Sequence, residues 1–260
     1  MTRVLITGSA DGLGRLAAQM LTKEGHQVVL HARNEQRAKD AMAGVPQAEG
    51  CVVGDLTSIQ ETKALAAEIN KLGRFDSIIH NAGIGPSASS PNHTSDGYAA
   101  TFAANSLAPY ILTCLINKPA RLVYMSSGMH RGARSTMDID EITWKSKRWN
   151  GNQAYCDSKL HDILLANAVA KRWSSEVRSN SVDPGWQPTK MGGFGAPGVL
   201  EEGAKTQVWL ATSEDKAATV TGKYFNFMRQ DKPIAAALDD KLQQSFIEVC
   251  EQLSGVTLPS

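Results

Sequence analysis

No stretch of these 260 residues approaches the roughly 18 consecutive apolar side chains that a membrane-spanning helix requires. The first residues, Met1-Thr-Arg-Val-Leu-Ile-Thr-Gly8, run straight into a strand pattern and lack the apolar segment and cleavage site of a secretory signal. Cysteine is scarce. Cys51, Cys114, Cys156 and Cys250 stand apart with no C-x-x-C pair, which argues against a zinc site and against a secreted disulfide framework. Charge of one sign is also missing: 27 basic and 26 acidic residues leave a net charge of +1, without the basic excess that nucleic acids or anionic membranes select. The expectation is a soluble, cytoplasmic chain with reduced thiols and a small-molecule partner, binding neither nucleic acid nor membrane.

With 42% hydrophobic residues, the chain can bury a large core, and residues 1–260 fit one domain. Short apolar runs at Arg3 to Thr7, Gln27 to Ala32, Gly50 to Val53, Ser77 to His80 and Arg121 to Ser126 predict strands, with helices between them. Further helices are predicted at Asn152 to Trp173, Glu201 to Ala211 and Ala235 to Leu253, and strands near Arg178 to Val182 and Lys223 to Asn226. This βαβα rhythm with continuously apolar strands predicts an α/β fold, a doubly wound parallel sheet of Rossmann-like type with helices on both faces. Two stretches break the rhythm. Gly128 to Gly151 is long and polar with Trp144 and Trp149, and residues 186–200 are rich in glycine beside Trp186, Met191 and Phe194, as a lid over a cleft would be.

The first strand ends in Thr7-Gly-Ser-Ala-Asp-Gly-Leu-Gly14, a turn with glycines at 8, 12 and 14 that opens a helix from Leu13 to Lys23. Glycines permit the tight turn, and the helix N-terminal amides can meet a pyrophosphate, so Thr7, Gly8, Ser9, Asp11, Gly12, Leu13 and Gly14 are candidate cofactor contacts. No Gly-Lys-Ser/Thr follows, so this is not a nucleoside triphosphate P-loop. Asp55, followed by Leu56, ends the third strand and can accept from an adenine amino group or cap a helix starting near Ser58. Asn81-Ala82-Gly83 ends the fourth and is either a close approach to a dinucleotide or a turn. The second strand ends in His31-Ala32-Arg33. An acidic residue there would take the ribose 2′-hydroxyl of NAD, whereas Arg33 suits the 2′-phosphate of NADP, so NADP(H) is favoured over NAD(H), with Asp11 a mild counter-signal.

Tyr155 and Lys159 stand four apart, a spacing that puts both on one helix face. A phenol has a pKa of about 10, and lowering it toward 7 needs about 4 kcal/mol of anion stabilisation, which a nearby ammonium and a hydrogen-bond donor can provide. His161 falls off that face and reads as structural, and His130-Arg131 as a solvated loop pair.

In order along nearly the whole chain, Thr7 to Gly14, Asp55, Asn81 to Gly83, Asn105, Ser126-Ser127, Tyr155/Lys159, and Pro184-Gly185 with Thr189 resemble the short-chain dehydrogenase/reductase family. The resemblance implies that Tyr155 exchanges the proton, that Lys159 holds the nicotinamide ribose and acidifies the phenol, and that Ser127 polarises a substrate carbonyl. It further implies that Asn105 holds a water in a proton relay and that Pro184, Gly185 and Thr189 flank the nicotinamide. Ser127 and Tyr155 are 28 positions apart, and Asp138 to Trp144 between them is similar to an insertion of retinol-dehydrogenase-like carbonyl reductases, which suggests an apolar substrate. Trp186, Met191 and Phe194 are candidate substrate contacts, Trp186 foremost because it adjoins Pro184-Gly185.

The implied activity is NADP-dependent hydride transfer between nicotinamide and a carbonyl or secondary alcohol, without metal. Alternatives are a non-catalytic NADP(H) redox sensor, for which a phenol acid has no use, and a nucleotide-sugar epimerase or dehydratase, for which no sugar-nucleotide domain is apparent. A helix from Thr94 to Ile116 would contribute to a dimer or tetramer interface in this family.

Overall fold

The computed structural model describes residues 1–260 as one eight-stranded sheet with helices on both faces. In chain order the elements are β1 (Arg3–Ile6), α1 (Gly12–Lys23), β2 (Gln27–Ala32), α2 (Glu35–Gly44), β3 (Gly50–Val53), α3 (Ile59–Lys71) and β4 (Ser77–His80). There follow α4 (Ala100–Phe102), a π-helical turn (Ala103–Leu107), α5 (Ala108–Leu115), β5 (Arg121–Met125), α6 (Ile139–Ile142), α7 (Gly151–Arg172) and β6 (Arg178–Asp183). The chain ends with α8 (Leu200–Thr212), β7 (Tyr224–Asn226), β8 (Arg229–Asp231) and α9 (Asp240–Ser254).

The spatial order is β3-β2-β1-β4-β5-β6-β7-β8, parallel except for the last pair. Winding therefore reverses between β1 and β4, and in such a sheet the crevice beyond the carboxyl ends at the reversal is where ligands bind. The strands carry apolar residues on both faces because both are covered. Leu5, Val29 and Ile78 enter the core under α3, α5, α7 and α9, while Val4, Ile6, Val28, Leu30 and Ile79 enter the one under α1, α2 and α8.

Local chemistry starts the helices. Asn34, Ser58, Asn150 and Asp239 each accept a backbone N–H from the first turn of α2, α3, α7 and α9. The continuous helix expected over Ala235 to Leu253 is instead a 3-10 turn (Ala235–Leu238) and α9, because Asp239 accepts from Lys241 and Leu242 and restarts the chain. The helix expected from Thr94 begins only at Ala100 and widens into the π turn at Ala103–Leu107. β8 was missed because Arg229-Gln230-Asp231 is short, polar and exposed, as an edge strand can be without aggregating.

Tyr98 to Cys114 is buried at every position, as is nearly all of α7 from Ala154 to Ala170. The helix that the resemblance assigned to a subunit interface, over Thr94 to Ile116, is thus covered within this chain from Tyr98 to Cys114, and α7 is covered in part by α9. An oligomer would have to use another surface. The polar segment after β5 is no loose loop: Trp144 is buried against Trp149, and the Trp149 indole donates to the Ala88 carbonyl at 2.8 Å.

Candidate active site

A cleft of about 580 Å³ opens at the β1/β4 reversal, walled by Gly8, Gly12, Asp55, Asn81, Met125, Tyr155, Lys159, Pro184 and Thr189 among others. Its floor is made where β1 and β4 release the chain. Thr7 Oγ1 accepts from the backbone N–H groups of Asn81 and Ala82 at 3.0 and 3.1 Å, and the Asn81 amide donates back to the carbonyls of Thr7 and Gly8. So close an approach requires glycine. A Cβ on Gly8, whose φ is +64°, would lie 2.7 Å from Ala82 Cα, and one on Gly14 would lie 2.4 Å from the Asn81 amide nitrogen. Thr7 and Ser9 are buried fasteners rather than cleft walls, Ser9 donating to the Ile6 carbonyl and accepting from the His31 N–H.

The sequence reading missed His31. Its Nδ1 accepts from the Gly8 N–H at 2.9 Å, so Nε2 is the protonated nitrogen and donates to the Gly54 carbonyl at 2.9 Å. Burial holds its pKa below the ordinary imidazole range. The imidazole is a neutral clasp on the glycine turn.

No side chain caps α1, because the Asp11 carboxylate turns instead to Arg37 at 2.5 Å and Lys190 at 3.3 Å. The first-turn amides and the positive end of the helix are left to the cleft. Burial pushes the Asp11 carboxyl up, but Arg37 and Lys190 outweigh it and leave the pKa below the ordinary carboxylate range. Asp11 is therefore a neutralised anion. Arg33 and Arg37 both line this end of the cleft; Arg37, in α2, was not singled out by the sequence.

Asp55 and Leu56 line the cleft too. Asp55 does not cap α3, a role taken by Ser58; it accepts from the N–H and hydroxyl of Thr57 at 2.9 and 2.8 Å.

Tyr155 and Lys159 project from α7, Lys159 Nζ lying 5.5 Å from the phenol ring centre. The ammonium donates to the Met125 carbonyl and to Asp162 Oδ2, each at 2.7 Å. Burial opposes its charge, yet Asp162 and the phenol hold its pKa above the ordinary lysine value. It is a permanent cation.

For the phenol the expectation is corrected. Burial raises the Tyr155 pKa first; Lys159 lowers it, Asp162 raises it again, Ser127 lowers it and Asp183 raises it, and the sum stands above the ordinary phenol value. Among these residues Lys159 alone does not make the phenol acidic.

Ser126 is committed elsewhere, donating to the Lys159 carbonyl at 2.7 Å, whereas Ser127 accepts from the Met129 N–H and has its O–H left to face the phenol. Both amide N–H groups of Asn105, in the π turn, are occupied, donating to the Ile84 carbonyl and Ser158 Oγ, while its oxygen accepts from the Ile84 N–H. Its side chain has no donor left for a water. His130 is no solvated loop residue; it is buried, donating to the Ser127 carbonyl and accepting from the Ile234 N–H. His161 packs on Phe246 and bonds Ser106, off the Tyr155 face.

Of the apolar candidates, only Met191 reaches the cleft, its sulfur 3.9 Å from the Tyr155 hydroxyl and its side chain against Gly85. Trp186 is 62% exposed and its indole bonds the Gly192 carbonyl of its own loop; Phe194 is wholly exposed. Pro184 and Thr189 line the cleft, and Gly185, with φ +75°, packs under the Phe227 ring. No group of three or more His, Cys, Asp or Glu is arranged to hold a metal ion.

Residues 2–137 match the family model described as short chain dehydrogenase. An uncharacterized oxidoreductase of Emericella nidulans is 45% identical over 100% of this chain and 99% of its own length. The chain is a short-chain dehydrogenase/reductase. It is also similar to retinol dehydrogenase 13 of Homo sapiens, at 27% identity over 99% of this chain and 86% of that one, which agrees with the retinol-dehydrogenase-like pattern of its sequence. In fold this short-chain dehydrogenase/reductase superposes with a TM-score of 0.84 on an uncharacterized protein of Mycobacterium paratuberculosis, 23% identical, covering 100% of this chain and 96% of that one. As an oxidoreductase of this family it uses a nicotinamide cofactor.

Proposed function

We propose that this enzyme is an NADPH-dependent reductase of apolar ketones or aldehydes, the whole chain acting as one domain. The observation that carries the reading is a phenol and a buried ammonium at one end of a dinucleotide-sized cleft, with two arginines at the other. The α1 amides and glycine turn suit a pyrophosphate, the turn being held in shape by the close packing of Gly8 on Ala82 and of Gly14 on Asn81. Arg33 and Arg37 suit a 2′-phosphate, with no carboxylate at the end of β2 to repel it. Asp55, Leu56 and Asn81 to Gly83 would hold the adenosine side, Lys159 and Tyr155 the nicotinamide ribose, and Pro184, Gly185 and Thr189 the ring.

Bound nicotinamide would supply the hydride. The protein's part is to stabilise charge that grows on the carbonyl oxygen. The Ser127 hydroxyl donates to that oxygen and Tyr155 gives it a proton, two donors aimed where charge develops. A phenol kept protonated by burial is already in its acid form at neutral pH, which suits reduction rather than alcohol oxidation. Met191 over the Tyr155 hydroxyl gives the carbonyl's side of the cleft an apolar lining, in keeping with names such as retinol dehydrogenase 13 among its relatives.

The test is NADPH consumption against a panel of apolar ketones and aldehydes, with NADH alongside. Tyr155→Phe should lose about 10² to 10⁴ in kcat while still binding NADPH. Near-normal turnover in that variant, or NADH preferred to NADPH, contradicts the reading.

A further inference from the structure

Tyr155, Lys159 and Asp162 fall at i, i+4 and i+7 on α7, one stripe of the helix. Asp162 is only 3% exposed, on the side of Lys159 away from the cleft, and its Oδ2 takes a hydrogen bond from Nζ at 2.7 Å. The Met125 carbonyl takes a second. A lysine ammonium has three N–H groups, so one remains for the cleft that Lys159 lines.

We propose that Asp162 is a positioning residue, whose carboxylate and the Met125 carbonyl together fix the Lys159 ammonium with one N–H aimed at the nicotinamide ribose, and whose negative charge keeps Tyr155 a proton donor. This deepens the reductase reading and rests on it. The charges around this group support it. From α7 itself, Lys159 and Tyr155 face Asp162; from β5, the buried Tyr124 feels it; from β6, Asp183 adds negative charge beside Tyr155. Burial pushes the Asp162 carboxyl up to about 6 against the pull of Lys159, so near neutral pH it is ionised. In that state it offsets part of the effect of Lys159 on the phenol. The ammonium then orients cofactor without converting the acid into its tyrosinate, and reduction keeps a donor.

Two substitutions separate the parts. Asp162→Asn keeps an acceptor for Lys159 and removes the charge; Asp162→Ala removes both. In NADPH-dependent reduction, Asp162→Asn should move the alkaline fall of kcat to lower pH and abolish any inflection near pH 6, while the KM for NADPH changes less than about threefold. Asp162→Ala should lower kcat at neutral pH by about 10- to 100-fold, and Asp162→Asn should restore most of it.

A direct readout needs no turnover. The near-ultraviolet tyrosinate titration of Tyr155, taken as the difference from a Tyr155→Phe background, should come at lower pH in Asp162→Asn than in the parent. If the parent consumes no NADPH with any carbonyl, the reductase reading fails, and this titration still decides whether Asp162 tunes the phenol. Superposable pH profiles and superposable tyrosinate titrations in the parent and Asp162→Asn overturn the proposal, even if Asp162→Ala fails to fold.

Discussion

The two sides of the cleft are built in opposite ways. On the β1/β4 side the start of the turn is tied to strand ends: Gly8 to His31, Thr7 to Asn81 and Ala82, Ser9 to Ile6 and His31. On the other side, residues 186–198 bond chiefly among themselves, Trp186 to Gly192, Gly192 to Thr189 and Gly198 to Trp186. That loop reaches across the cleft through Lys190 to Asp11 and through Met191 to Gly85 and Tyr155. The contrast follows the chemistry. A cofactor of fixed shape rewards a rigid cradle, whereas a substrate of variable shape needs a wall that can be rebuilt by changing a few loop residues.

The rigid side should break hardest. Gly8→Ala puts a Cβ 2.7 Å from the Ala82 backbone at a φ of +64°, a strain of about 1–3 kcal/mol. The expected outcome is a lower unfolding midpoint and NADPH affinity reduced at least tenfold; unchanged binding by fluorescence titration would show that the cradle yields. Acid should loosen the fold, this side included. His31, His80 and His161 are held below the ordinary imidazole pKa by burial, His80 to about 3 and His161 to about 4. As pH falls below about 6.5 the unfolded chain takes up protons that the folded chain refuses, so stability is complete above that pH and is lost toward the folded values. The slope is at most about 1.4 kcal/mol per pH unit for each histidine. NADPH affinity should fall with it, because a protonated His31 cannot accept from Gly8. Equal unfolding midpoints at neutral and mildly acidic pH would count against all three.

Smaller effects sharpen the contrast. Arg33→Ala should raise the KM for NADPH about tenfold and leave that for NADH nearly unchanged, and Arg37→Ala should do less because Asp11 shares its charge. A common loss for both cofactors would remove the arginines from phosphate recognition. Smallest of all, Met191→Ala should alter carbonyl KM values several-fold with NADPH binding intact, whereas Phe194→Ser should change neither beyond about twofold. Kinetics in which Phe194 mattered more than Met191 would reverse the assignment of the loop's two faces.

Much of this was readable in the chain because the signals are local. Strand β1, the glycine turn and the Tyr155/Lys159 pair depend on residues at most a few positions apart, and periodicity and backbone sterics act at that range. The same locality explains the failures. Trp186 adjoins Pro184-Gly185 in sequence but turns back on its own loop, while Met191, farther along, folds over the phenol. The π turn that positions Asn105 has no short-range signature, and His31 and Arg37 matter only because β2 ends and α2 begins beside the glycine turn.

By itself the amino-acid order determined an alternating α/β chain, a phosphate-sized glycine turn and a phenol one helical turn from an ammonium, since each is a matter of spacing along one element. The sign of the phenol's pKa shift, the neutralising of Asp11, the covering of α5 and α7 and the anchoring of Lys159 were decided by tertiary structure alone. Burial and charge act through space, and no spacing along the chain states how much water a side chain will lose or which distant group will stand beside it.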